Sequence, residues 1–113
     1  MKEIKASIQP HVLGRVIQAL HALPHFPGVT IIDAAGQGRG RGAGGAFRVT
    51  EEEIFFHKKK LITVVCADDL ASSIIEAIRT AAHTGHAGDG LIFVTDITQA
   101  VRIRTGEQAD SAV

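Results

Sequence analysis

Two stretches of helical periodicity, each set between strand-like runs, restrict this chain to few folds. From His11 to Leu23 the apolar residues Val12, Leu13, Val16, Ile17, Leu20 and Leu23 recur every three or four positions, and Pro24 ends the pattern. Leu70, Ile74, Ile75, Ile78, Ala81 and Ala82 repeat that spacing up to Gly85, behind Asp68 or Asp69 as a helix cap. Ahead of the first helix, Ile4, Ala6 and Ile8 alternate with Glu3, Lys5, Ser7 and Gln9, the period of a half-buried strand stopped at Pro10. Gly28 to Ala35 and Lys60 to Ala67 read as two more strands, the latter with Ile62, Val64 and Cys66 on one face. Leu91 to Thr95 reads as a fourth. Beyond it, Asp96 to Ala100 predict one helical turn and Val101 to Arg104 a short strand.

The order β-α-β-β-α-β predicts an α+β fold of the ferredoxin-like sandwich type, with both helices on one face of an antiparallel sheet. That fold hosts unrelated functions, so the chemistry has to be read from the connections. A length of 113 residues, 45% of them apolar, suits one domain over 1–113. Twelve Lys and Arg cancel twelve Asp and Glu, so any anion site is local rather than a property of the whole surface. Cys66, the sole cysteine, forms no internal disulfide and reads as a small core side chain. No apolar run approaches the roughly 18 residues of a membrane span, and Lys2, Glu3 and Lys5 leave no signal-peptide core, so a cytoplasmic location is expected.

Three glycine-bearing polar segments fall at the connections. AAGQGRGRGAGGAFRVTEEE occupies 34–53, Thr84-Gly-His-Ala-Gly-Asp-Gly occupies 84–90, and Arg102-Ile-Arg-Thr-Gly-Glu occupies 102–107. Glycines at 85, 88 and 90 let backbone N–H groups approach an oxyanion, and Asp89 is placed to accept from an amide or chelate a cation. Arg102 and Arg104, two apart on a strand, share a face and suit phosphate. Singly, each segment reads as an ordinary turn or a solvated face.

Together, these segments make the chain resemble the PII signal-transduction proteins over essentially its whole length. The likeness runs from Met1-Lys-Glu-Ile-Lys-Ala and Gln9-Pro10 through Gly28-Val-Thr and Gly36-Gln-Gly-Arg to Thr84–Val94 and Val101–Glu107. The resemblance implies a homotrimer with ATP or ADP bound in clefts between subunits, no catalytic task, and a transporter or metabolic enzyme as target, with recruitment to the inner membrane where that target is a transporter. It places a T-loop at about 37–55, a B-loop at about 84–91 and a C-terminal segment at 101–113. By the same likeness Gly36, Gly38 and Arg39 stand beside the nucleotide, Val29, Thr30 and Val65 near its adenine, Thr84, Gly88, Asp89 and Gly90 in the phosphate turn, and Arg102 and Arg104 reach in from the adjacent subunit. Arg41, Phe47, Arg48, Thr50 and Glu52 fall on the partner-reading arm, whose glycines make ordering costly, at about 1–2 kcal/mol per fixed residue. Ordering of that arm by nucleotide or target is the expected coupling.

This chain departs from the family pattern at four places. Gly40 stands where PII proteins carry the glutamine that ligates Mg²⁺, which argues against metal-dependent 2-oxoglutarate binding, although Lys59 falls near the family's 2-oxoglutarate lysine. Leu91 and His86 replace two phosphate-side lysines, so ADP or AMP is expected to compete well with ATP. The chain lacks tyrosine, which removes uridylylation of the T-loop; Thr50 is a hydroxyl there, and a plain solvated one on the simpler reading.

His21 with His25, and His83 with His86, have spacings that suit a metal, but neither pair has a third ligand nearby in sequence. An RNA-binding module shares the strand and helix order, and Gly-Arg-Gly-Arg-Gly resembles RGG segments. Such modules stack bases on aromatic strand residues, and with no Tyr or Trp and zero net charge this chain is expected to bind no nucleic acid.

Overall fold

The computed structural model describes residues 1–37 and 57–113. Strands β1 (Lys2–Ile8), β2 (Thr30–Gly36), β3 (His57–Cys66) and β4 (Leu91–Asp96) form one sheet in the order β2-β3-β1-β4, antiparallel at every pairing. Helices α1 (Leu13–His21) and α2 (Ala71–Ala82) pack on each other and cover one face. This is the ferredoxin-like sandwich that the element order predicts.

Alternation fixes which face is covered. Ile4 and Ala6 on β1 lie opposite Val64 and Ile62 on β3, and with Ile8 and Cys66 these four meet Val16 and Leu20 of α1 and Ile74 and Ile78 of α2 in a fully buried core. Burial pushes the Cys66 thiol above its ordinary pKa, so the group is a core hydrophobe rather than a nucleophile. Among the described residues nothing packs over the opposite face. There Ile32, Leu61 and Leu91 form a row across the sheet through Ser7, and Ile32, Leu91 and Phe93 are 50%, 66% and 41% exposed.

The register defines two ends. β1 finishes at Ile8, opposite Lys60, whereas β3 runs back to His57 opposite Gly36, so the β2–β3 pair overshoots β1 by three residues. This loop end also receives the start of β4, because Leu91 pairs with Ser7. At the far end lie Lys2, Cys66 and Asp96.

Three local expectations are corrected. A 3-10 turn over Pro10–Val12 precedes α1, Pro10 taking the position that has no N–H to lose, so the helix is shorter than the 11–23 pattern. Neither Asp68 nor Asp69 caps α2. A 3-10 turn over Asp68–Leu70 intervenes, and the Asp68 carboxylate lies 2.7 Å from the Met1 amino group. Residues 97–100 are not a helical turn, because the ladder continues one step beyond Asp96 through Ile97 N–H to the Met1 carbonyl, 3.0 Å.

Candidate functional site

The loop between α2 and β4 is built around one carboxylate. Asp89 accepts from the Thr84 amide at 2.8 Å, from the Gly85 amide at 2.9 Å, and from the Thr84 hydroxyl. These donors hold its pKa down to about 2, the Thr84 hydroxyl first, then the Thr84 and Gly85 amides. Asp89 therefore does accept from amides, as the sequence suggested. Gly85, Gly88 and Gly90 all have positive φ, which lets the loop reverse tightly enough for Asp89 to reach back to Thr84. Gly90 answers a second demand, since a Cβ there would lie 1.7 Å from the Ser7 carbonyl oxygen of the central strand.

The overshoot of β3 brings Lys59 to this loop. Its ammonium donates to the Gly88 carbonyl at 2.7 Å, its stem passes 3.7 Å from the position of a Cβ on Gly36, and the Gln9 amide lies 3.3 Å from that of a Cβ on Gly88. The end of β2, the start of β3, the end of β1 and the glycine loop thus converge on one spot. Gln9 is a member that sequence reasoning assigned no role. Its place follows from register, which no spacing along the chain reveals.

The other predicted site residues lie elsewhere on the same chain. Thr30 and Val65 sit on the bare face, paired with Thr63 and Glu3, and Val29 packs at the border of the core. Thr30 stands six residues from Gly36 along β2, roughly 20 Å in an extended strand. The tail departs from the far end. Its expected strand reduces to a single bridge, Val101 with Gln108, closed by Arg102 N–H to the Glu107 carbonyl at 2.8 Å and Gly106 N–H to the Arg102 carbonyl at 2.7 Å. Arg102 and Arg104 are both exposed, but the reason offered for their sharing a face, strand alternation, does not apply to a turn. Gly38, Arg39, Arg41, Phe47, Arg48, Thr50 and Glu52 lie outside the described residues.

Among the described residues no three His, Cys, Asp or Glu side chains converge as a metal site requires. His21 instead meets Phe26 edge-on at 5.5 Å, and His83 Nδ1 lies 3.8 Å from Asp89. A shallow groove on the helical layer, lined by Ala19, Leu23, Ala77 and Thr80 among others, contains none of the predicted site residues. No helix among the described residues is long and apolar enough to cross a membrane.

The glycine loop closes on Asp89 between α2 and β4, and the family model of nitrogen regulatory protein P-II matches residues 1–107. The chain belongs to the P-II family. It is 45% identical over 113 residues, the whole of both chains, to the nitrogen regulatory protein P-II of Azospirillum brasilense. The P-II proteins of Rhizobium meliloti and Klebsiella oxytoca are 42% and 39% identical to it, again over the full length of both chains. P-II membership carries the family's general role, signal transduction in nitrogen regulation.

Proposed function

We propose that the protein binds adenine nucleotides in clefts between the subunits of a homotrimer, and regulates a transporter or metabolic enzyme through the segment at about 37–55. The observation that carries this reading is the division of the site. Gly36, Thr84, Gly88, Asp89 and Gly90 gather at the loop end, whereas Thr30, Arg102 and Arg104 lie toward or beyond the other end of the same sheet. One chain holds the glycine loop and the arginine tail apart; a neighbouring copy that set its far end against this loop end would bring them together. Backbone amides of a glycine loop from one subunit and guanidinium groups from the next then form an anion site on a protein of zero net charge.

Within this reading ATP, ADP and AMP are the ligands. His86 and Leu91 offer less fixed positive charge than lysines, which shifts preference toward fewer phosphates. Neither Gly40 nor the braced Asp89 supplies a metal ligand, so Mg²⁺ and 2-oxoglutarate are not required. Calorimetric titration with ATP, ADP and AMP, each with and without Mg²⁺, 2-oxoglutarate and bicarbonate, tests the assignment, with sedimentation reporting the oligomer. Saturable binding is expected, weakened at least tenfold in Arg102→Ala protein that still sediments as a trimer, because a charged hydrogen bond to phosphate contributes about 1.5–3 kcal/mol. A folded trimer that binds none of the three refutes it.

A further inference from the structure

Charge on this neutral chain is unevenly placed. The loop end carries Lys58, Lys59 and Lys60 on β3 and Arg15 in the first turn of α1. Four of the six histidines gather there as well: His11 in the turn after β1, His57 opening β3, His83 ending α2 and His86 in the glycine loop. Among the described residues the acids of this end are already engaged. Asp33 pairs with Lys60, Glu76 accepts from Arg79 at 2.7 Å, and Asp89 accepts from Thr84 and Gly85. Glu3, Asp68, Asp69 and Asp96 lie at the far end, and Glu107 and Asp110 in the tail beyond it.

His83 makes the specific contact. Its Nδ1 is 3.8 Å from Asp89 Oδ2, the oxygen that also accepts both loop amides. The ring stands where α2 ends, beside carbonyls that carry partial negative charge. Of the charged groups nearby, Asp89 is the one in contact with it; on the surrounding elements His86 lies in the same loop, Glu76 and Arg79 pair with each other on α2, Lys59 of β3 is bound to Gly88, and the Gln9 amide that follows β1 lies by Gly88. A protonated His83 closes an ion pair across the neck of the loop and adds a charge to a cationic mouth. A neutral one does neither.

We propose that the loop end is a proton-linked anion site, in which protons taken up by His83, with His11, His57 and His86 adding to the field, raise affinity for a phosphate-bearing ligand. The inference rests on the nucleotide reading above and adds its regulation, because imidazoles change charge between about pH 5 and 8. By reciprocity, a ligand that binds more tightly at low pH must take up protons when it binds. The protein then reports nucleotide and acidity together.

ADP titrated calorimetrically at about pH 6 and about pH 8, in buffers of different ionisation enthalpy, measures affinity and proton uptake together. Wild-type protein is expected to bind about three- to tenfold tighter at the lower pH, with net proton uptake. The difference shrinks in His83→Gln and falls, in protein with Gln at 11, 57, 83 and 86, to what the nucleotide's own titration leaves. The nucleotide's own phosphate titration is common to all three proteins, so the comparison isolates the side chains. Equal affinity at both pH values in wild type, or a pH difference unchanged in the fourfold variant, overturns the proposal. Inorganic tripolyphosphate titrated in parallel keeps the two readings apart. Failure of ADP alongside pH-dependent tripolyphosphate binding overturns only the nucleotide reading, and failure of both ligands overturns both.

Discussion

Gly90→Ala is expected to destabilise the fold by more than about 3 kcal/mol and lower the melting temperature by roughly 10 °C or more. Two causes add. The residue holds φ +105, a conformation that side chains rarely adopt, and the new Cβ would fall 1.7 Å from the Ser7 carbonyl oxygen. Ser7 cannot yield, because it is paired on both sides, to Leu61 of β3 and Leu91 of β4. Gly106→Ala separates the causes, for Gly106 also has positive φ, at +73, but nothing lies within 4 Å of its Cβ position. Conformation alone should cost that variant about 1–2 kcal/mol. Thermal and urea unfolding followed by circular dichroism give the comparison; equal melting of the two variants would show that the approach to β1 is not what constrains residue 90.

The second large effect is expected at Asp89. Asparagine keeps the shape but removes the charge and one of the two acceptor oxygens: with its carbonyl on the Thr84 and Gly85 amides, its NH2 faces the Thr84 hydroxyl, which can no longer donate there, and the bonds that remain are those of a neutral acceptor. Loop amides should then lose most of their hydrogen-exchange protection, while the core amides of β1 and β3 keep theirs, and adenine-nucleotide affinity should fall at least tenfold. The same brace has a pH signature. Its folded pKa of about 2 lies below the ordinary 3.8, so the stability that Asp89 contributes is fully present above about pH 4 and is lost as pH falls toward 2. Asp89→Asn should remove that acid-induced step. An unchanged acid transition in the variant, with loop protection intact, would assign the step to other carboxylates.

How much the sequence reveals depends on whether a residue's partner lies in the same local pattern. Ile4, Ala6 and Ile8, Ile62, Val64 and Cys66, and Ile74 with Ile78 all occupy the buried positions that their periodicity predicts, because a two-layer sandwich buries one sheet face and one stripe of each helix. Ile17, Ile75 and Ala81 fit the helical period but are only half-buried, at the margins of those stripes. Val101-Arg-Ile-Arg alternates as well as β1 does, yet Ile103 is fully exposed and no strand forms over 101–104, since alternation specifies burial only where another layer is present to receive it. Asp68 looked like a helix cap and found the amino group of Met1 instead, a partner distant in sequence. In the candidate site, glycine spacing and Asp89 were legible because the loop closes on itself within six residues. The bond from Lys59 to Gly88 was not, because it depends on how far one hairpin runs past its neighbour.

The sheet face with Ile32, Leu91 and Phe93 open to water gives the proposed homotrimer a thermodynamic meaning. Apolar area left uncovered on a lone subunit forgoes about 25 cal/mol for every Å² that assembly would bury. Folding and association are then linked equilibria, and mass action enters the stability: the melting temperature should climb with total protein concentration, and dilution alone should act as a denaturant. A cell that makes little of this protein would hold it nearer its unfolding threshold than one that makes much, whatever nucleotide is present.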